Sequence, residues 1–386
     1  MNRDLSVRVN NRQSGQITLE DEEFIFNYHT ETDKNNFVSL SMPVRKKNYI
    51  HKRLHPIFEM QLPEGYLRAV IQKHFAKLTE TDDFGLLNLL SPSIRGRLAY
   101  GNDNNFQSSP YSLDELITPL ETNLFQELIE RFALHSPLSG VQPKVLATVT
   151  NKATLTLDQY IVKAWGQDYP ELALNEFICM TAVKAAGIPV PEFYLSSDSQ
   201  LFIMKRFDIV PNERCLGFED MCVLQGKSRE DKYNSSYERI AKTIKSFVSP
   251  LYQRQSLEQF FKMLVINTHL QNGDAHLKNF GVVYNDETDV KLSPAYDVVS
   301  TSCYIRNDVG ALTMMGSKKW WSQKFLIQFA QTSCDISKLR AEVLYEECMK
   351  ALQKVMPMIN EKLNNSPTPH QKMVLEHIAS LIQKKI

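Results

Sequence analysis

From about residue 217 to the end of the chain, apolar side chains recur at helical spacing, broken only by two short β-branched runs, GVVYND and DVKLSPAYD. The preceding hundred residues read differently. VLATVT, ATLTLD and QYIVKAW, and later EFYLSS and QLFIMKRFD, set apolar and β-branched residues at alternate positions, the period of a strand with one buried face. A single helix, ELALNEFICMTAVKAAG, interrupts them; Gly187 stops it, and Pro189 and Pro191 prevent its continuation. A change of period in this order predicts a β-rich lobe followed by a helical lobe, with one hairpin around Asp286 set into the helices.

The first hundred residues form a further α+β piece. LSVRVN, then GQITLEDEEFIFNY with a turn-forming Gly15, then NNFVSLSMP closed by Pro43 read as strands. PEGYLRAVIQKHFAKL, with Tyr66, Val70, Phe75 and Leu78 at near-helical spacing after Pro63, and DDFGLLNLLSP read as helices. The Asn/Ser/Pro-rich stretch GNDNNFQSSPYS marks a loop, and LDELITPLETNLFQELIERFALH, interrupted at Pro119, begins the next unit. The expected organisation is an N-terminal module over 1–112, a β-rich lobe over 113–212 and a helical lobe over 213–386. At 386 residues the chain exceeds what one hydrophobic core usually serves, so a cleft between units is expected.

Charge and cysteines exclude several functions. Lys plus Arg and Asp plus Glu both number 44, so no global basic field draws the chain to nucleic acid. The six cysteines, at 179, 215, 222, 303, 334 and 348, make no C-x-x-C pair and no zinc spacing, and read as reduced structural thiols. The polar start, MNRDLSVRVNNRQSG, and the absence of any run of 18 uncharged apolar residues predict a cytosolic protein with no membrane partner.

Chemistry concentrates in HLQNGDAHLKNFGVVY, where Asp274, His276, Lys278 and Asn279 fall within six residues between an apolar helix and a strand. In phosphoryl transfer an aspartate accepts or orients the attacking hydroxyl, and an amide oxygen a few residues on binds Mg²⁺ without adding a full charge. Taken alone, the segment equally suits a helix C-terminus turning at Asn272-Gly273. LSPAYDVVS adds Asp297 just past a strand, close enough in sequence for a hairpin to bring the two carboxylates together as a metal site. Lys163, in the apolar strand QYIVKAW, needs an anionic partner if buried; an ATP phosphate or Glu176 on the following helix would serve, or the side chain runs to the sheet edge. The loop SPLSGVQPK, neither a Walker A loop nor G-x-G-x-x-G, offers backbone amides around Gly140 and Val141, the Ser139 hydroxyl and Lys144 to phosphates.

These segments, in this order, resemble the HipA family of bacterial toxin kinases. The resemblance rests on LSGVQPK, Lys163 in YIVKAW, DAHLKN from Asp274 to Asn279, and AYD ending at Asp297, with SLSMP, FEMQLPEGYLR and GRLAYG upstream and TMMGSKKWW downstream. It implies a two-lobed protein-kinase-like fold with an added N-terminal α+β module, and an ATP- and Mg²⁺-dependent serine/threonine kinase acting on a protein, with aminoacyl-tRNA synthetases the known target class. By that resemblance Asp274 is the catalytic base, Asn279 and Asp297 hold Mg²⁺, and Lys163 steadies the α/β phosphates. His276 and Lys278 belong to the catalytic loop, Lys278 touching the γ-phosphate, while MKRFD, with Met204, Lys205 and Phe207, resembles the strand-to-hinge connection whose backbone meets adenine, and Tyr296 shapes the base pocket. It also implies restraint by a small helix–turn–helix, HipB-like antitoxin. One departure is Pro137, where several relatives carry the regulatory serine; Ser139 becomes the candidate autophosphorylation site and Ser136 a weaker one. Competing readings are a kinase of the same architecture acting on a small molecule or lipid, a module that has lost catalysis and serves a DNA-bound repressor, and a metal-dependent hydrolase built on Asp274, His276 and Asp297.

Overall fold

The computed structural model describes residues 3–64, 68–69, 71–73, 82–91, 94, 96–101, 111–119, 124–125, 127–128, 153–157, 159–210, 214–365 and 367–384. Five antiparallel strands open the chain: β1 (Arg3–Val9), β2 (Arg12–Glu20), β3 (Glu23–Tyr28), β4 (Tyr49–His51) and β5 (Leu98–Tyr100), in the order β4-β3-β2-β1-β5. The two tight turns, Asn10–Asn11 and Asp21–Glu22, have positive φ at both positions, the twist that matches adjoining strands. Gly15 is not the turn former the sequence suggested. It lies within β2, where an added Cβ would come within 2.7 Å of the Phe26 ring and closer still to the Asn27 carbonyl, so only glycine lets β3 approach.

NNFVSLSMP likewise departs from expectation, because it forms a 3₁₀ turn, Lys34–Asn36, and then a strap instead of a third long strand. Its apolar residues serve different cores: Val38 and Met42 pack with the N-terminal sheet, while Phe37 stacks on Tyr284 of the helical lobe at 5.6 Å. The helix expected after Pro63 is seen at 68–69 and 71–73 and otherwise lies outside the described residues, whereas Asp83–Leu90 is helical and capped by Asp82. The capping box of Ser112 and Glu115 starts a helix at Leu113–Ile117; most of the chain from there to residue 152 lies outside the described residues.

The second sheet has the order β6-β7-β9-β8, from β6 (Ala153–Leu157), β7 (Tyr160–Ala164), β8 (Phe193–Leu195) and β9 (Leu201–Lys205). Its period-2 pattern divides two cores. Leu201 and Ile203 face the N-terminal sheet, while Phe202 and Met204 face the helix Leu172–Ala185, which Gly187 ends at φ +69°. The sheet is therefore apolar on both faces, and it joins the N-terminal unit to the rest through a continuous layer.

Beyond it, a two-stranded ribbon, β10 (Ile209–Val210) with β11 (Arg214–Cys215), leads to β12 (Gly217–Asp220), β13 (Gly281–Tyr284) and β14 (Lys291–Leu292). The sequence shows the β13–β14 hairpin but not β12, whose four residues are too few to display alternation; Gly217 is needed there because the Tyr284 ring occupies the space of its side chain. Around this small sheet stand the helices Tyr237–Phe247, Pro250–His269, Gln323–Ser333, Lys338–Lys354, Met356–Asn364 and Pro369–Gln383. The architecture is a two-lobed, protein-kinase-like α+β fold with a further N-terminal unit. Among the described residues no helix is long and apolar enough to cross a membrane.

Candidate active site

The helix Pro250–His269 carries the site's foundation. It is buried along its C-terminal half, so its end is rigid, and Asn267 closes it by pairing with Asn272 through both backbone and side chain at 2.8 Å. Asn272 in turn accepts from the Asp274 N–H at 3.1 Å, which sets the start of the loop. A short 3₁₀ turn, Leu277–Asn279, comes next, in which the Asn279 side chain accepts from the His276 N–H at 3.0 Å. Gly273 leaves room for the Asp308 carboxylate, which a side chain there would overlap.

Asp297 comes from the other side, just after the β13–β14 hairpin. Its φ of +58° is uncommon for a residue other than glycine; aspartate is among those that tolerate it, and such backbones cluster at functional sites. Both of its carboxylate oxygens are engaged: Asn279 Nδ2 donates to one at 2.9 Å and Lys163 Nζ to the other at 2.7 Å. Lys163 also reaches Glu176 Oε1 at 2.6 Å. This lysine is 7% exposed and Glu176 1%, so the strand, the helix and the segment carrying Asp297 are tied by one buried ammonium. Of the two partners considered for Lys163, the helix glutamate is the one in contact; the side chain does not run to the sheet edge.

Asp274 stands across the cleft, its carboxylate accepting a hydrogen bond from the Tyr233 hydroxyl, with His276 Nε2 at 3.7 Å. The Tyr233 and His276 rings meet edge-on at 4.9 Å. Burial pushes the Tyr233 phenol up and Asp274 pushes it further, so it is a hydrogen-bond donor at any physiological pH. Burial also holds His276 below the ordinary histidine range, although Asp274 pulls the other way, and its Nδ1 finds no partner among the described residues.

Lys278 points toward the N-terminal unit, where its ammonium donates to Glu64; Lys232 approaches the same carboxylate at 3.5 Å. Burial disfavours the Lys278 charge, but Asp220 and Glu64 more than offset that and raise it above the usual lysine value. Glu64, which burial alone would raise, is held below the usual carboxylate range by Lys278 and Lys232. Asp220, buried at the start of the helix Met221–Leu224, is pushed up by burial.

The cleft so formed holds about 630 Å³ and is lined by Met204, Phe207, Asp274, His276, Lys278, Asn279, Tyr296 and Asp297 together with residues of the N-terminal unit. Tyr296 stacks on Phe207 at 5.6 Å and anchors to the Lys278 carbonyl at 2.8 Å, making an aromatic shelf suited to a flat base. Lys205 does not line it; its side chain is directed at Glu192, 3.6 Å away. Ser139, Gly140, Val141 and Lys144 lie outside the described residues. Glu64, Tyr233, Lys232 and Asp220 were not singled out by their sequence context, since each is one ordinary polar residue far along the chain from the loop it meets.

Among the described residues no group of three or more His, Cys, Asp or Glu side chains is placed to hold a metal ion. Asn279 and Asp297, joined here through the Asn279 amide nitrogen, are instead the residue types that serve a cation bringing its own ligands, as Mg²⁺ does when bound by one or two side chains plus phosphates and water. A fixed carboxylate and an amide–carboxylate pair facing one cleft, with a buried ammonium bonded to that pair's carboxylate, are the parts of a phosphoryl-transfer site.

Two family comparisons decide the relationship. The HipA-like C-terminal domain matches residues 136–356, more than half the chain, and the HipA N-terminal domain matches residues 5–101. The chain belongs to the HipA family. Y4dM of Sinorhizobium fredii, a provisionally named kinase, is 29% identical over 349 residues, covering 82% of this chain and 81% of that protein. A provisionally named kinase of Haemophilus influenzae is 32% identical over 187 residues, 43% of this chain and 53% of that protein. The HipA of Shewanella oneidensis, solved with HipB and operator DNA, superposes with a TM-score of 0.70 at 17% identity, covering 98% of this chain and 96% of that one, so the HipA fold is shared from end to end.

Proposed function

We propose that this HipA-family chain is an ATP- and Mg²⁺-dependent serine/threonine protein kinase of the toxin type, which transfers the γ-phosphoryl group to a serine of a target protein. One observation carries the reading: the Lys163 ammonium lies between Glu176 and Asp297, with Asn279 on the second oxygen of Asp297. That arrangement presets the charge a nucleotide triphosphate needs, before the nucleotide arrives. Asn279 and Asp297 would hold Mg²⁺, which when bound neutralises charge developing on the phosphates. Lys163, held in place by Glu176, would bind the α/β phosphates. Asp274 accepts the proton of the attacking serine hydroxyl, and Tyr233 and His276 hold its carboxylate toward the cleft. The Phe207–Tyr296 shelf takes adenine.

The target belongs, on family grounds, to the translation apparatus, an aminoacyl-tRNA synthetase being the expected kind, and the restraining partner is a helix–turn–helix antitoxin like the HipB bound by the Shewanella protein. Control also runs through the SPLSGVQPK loop. A phosphate on Ser139 would repel the nucleotide and compete for the amides beside Gly140, so autophosphorylation there lowers activity. The test is phosphoproteomics of cells expressing the chain against its Asp274→Ala variant, with peptide mapping of the purified proteins after Mg²⁺-ATP. New phosphoserines in other proteins, and one at Ser139, support the reading; labelled lipid or metabolite without labelled protein would replace it with a small-molecule kinase.

A further inference from the structure

The N-terminal unit supplies one wall of the cleft, through Ile57, Met60, Leu62, Glu64 and Arg97. Glu64 is the member of that wall whose carboxylate reaches the catalytic loop: it accepts from Lys278 and lies 3.5 Å from Lys232. The base of Lys278 is already fixed, because its carbonyl accepts from Tyr296 and it directly precedes Asn279. Where its ammonium rests therefore depends on what it meets at the far end. A lysine carries three donors, so Lys278 can hold Glu64 and a phosphate oxygen together.

We infer that Glu64 is a positioning residue of the phosphoryl-transfer site, a counter-ion lent by the N-terminal unit that fixes the Lys278 ammonium beside the terminal phosphate and offsets part of the charge it shares with Lys232. This rests on the kinase reading above. Without Glu64 the two ammonium groups present undivided charge to the γ-phosphate, which tightens ground-state binding, while the Lys278 ammonium is no longer held for transfer. Ground-state binding and turnover then move in opposite directions.

The experiment is calorimetric titration of the full chain and its Glu64→Gln variant with Mg²⁺ and either AMPPNP, which has a γ-phosphate, or ADP, which lacks one. Glu64→Gln should bind AMPPNP about fivefold more tightly and ADP unchanged, with a lower kcat for autophosphorylation. In a Lys278→Met background the same substitution should leave AMPPNP affinity unaltered, because Glu64 acts through that lysine. Equal affinities in Glu64→Gln, or weakening toward both nucleotides together, overturn the inference and leave Glu64 a packing residue; Glu64→Ala checks this should the glutamine variant fold poorly. Wild-type protein that binds neither nucleotide overturns the kinase reading itself, and this inference with it.

Discussion

The catalytic centre and the seam between the N-terminal unit and the catalytic lobe both depend on ion pairs, yet they use them in opposite ways. At the centre, Lys163 and Glu176 are almost wholly buried, and their partner Asp297 is only 23% exposed. At the seam, Arg229 meets Asp83 at 3.1 Å and Glu59 at 3.8 Å; Glu59 is as buried as Lys163, but Arg229 and Asp83 are 17% and 24% exposed. Removing one member of a buried pair strands a charge in a poor solvent, whereas a wetter pair loses an attraction that water had already weakened. The centre is thus intolerant of substitution by its electrostatics alone, and the seam less so, because its Arg229–Asp83 pair is the wetter one.

The sharpest way to test the contrast is at the centre. We predict that Asp274→Ala and Asp297→Asn each lower phosphoryl transfer from Mg²⁺-ATP by about a thousandfold or more while the far-ultraviolet circular dichroism is unchanged. Retention of a tenth of wild-type transfer by either variant would mean the two carboxylates are misassigned. Lys163→Met should both weaken nucleotide binding and cost roughly 3–5 kcal/mol of stability, since Glu176 is left buried without its cation. A melting temperature equal to wild type would show that the triad is wetter than its burial implies. In the N-terminal unit the comparable loss should come from apolar packing instead. Phe58, 1% exposed and 5.4 Å from the Phe26 ring, should cost roughly 3–5 kcal/mol on substitution by alanine, measured by denaturant unfolding.

Acid should act on both regions at once. His55, at the start of the helix Pro56–Glu59, is depressed to about 3 by burial, and His269 to about 4 for the same reason. Each is neutral when folded, and the unfolded chain takes up a proton near 6.5, so the stability present above that pH falls as pH drops from about 6.5 toward 4 and 3. The neutral His55 ring also accepts from the Ile57 N–H, a bond its protonated form cannot keep. An unfolding midpoint that does not change between pH 7 and 4.5 would contradict the burial of both rings. The smallest effect belongs to the seam: Arg229→Ala should cost about 1 kcal/mol and leave nucleotide affinity unaltered. A loss comparable to that of Lys163→Met would erase the distinction between the two regions.

Legibility in the sequence tracks the range over which each signal acts. Asp274, Asn279 and Asp297 were legible because a short loop and a hairpin hold them within 24 positions, and Lys163 with Glu176 because a strand leads straight into a helix. The two-lobed fold was legible from the switch of period near residue 217. Glu64 was not, since Lys278 lies 214 residues away and a lone acid in a Pro-containing loop has no pattern of its own. Tyr233 was hidden for the same reason, as its hydroxyl crosses 41 residues to Asp274. Gly15 misled because glycine serves close approach as readily as it serves turning, and only the Phe26 ring opposite it reveals which. NNFVSLSMP misled because its apolar residues alternate like a strand's, yet Phe37 and Leu40 pack on one core and Val38 and Met42 on another.

Asn175 has a mechanical consequence. Its fully buried amide donates to the Ser300 carbonyl at 2.9 Å and accepts from the Ser300 N–H at 2.8 Å. It sits one residue before Glu176, and Ser300 three residues after Asp297. The helix and the segment carrying Asp297 are therefore pinned together by these two bonds, which resist their sliding independently. Any swing that withdraws Glu176 from Lys163 must drag Asp297 along or break two buried hydrogen bonds.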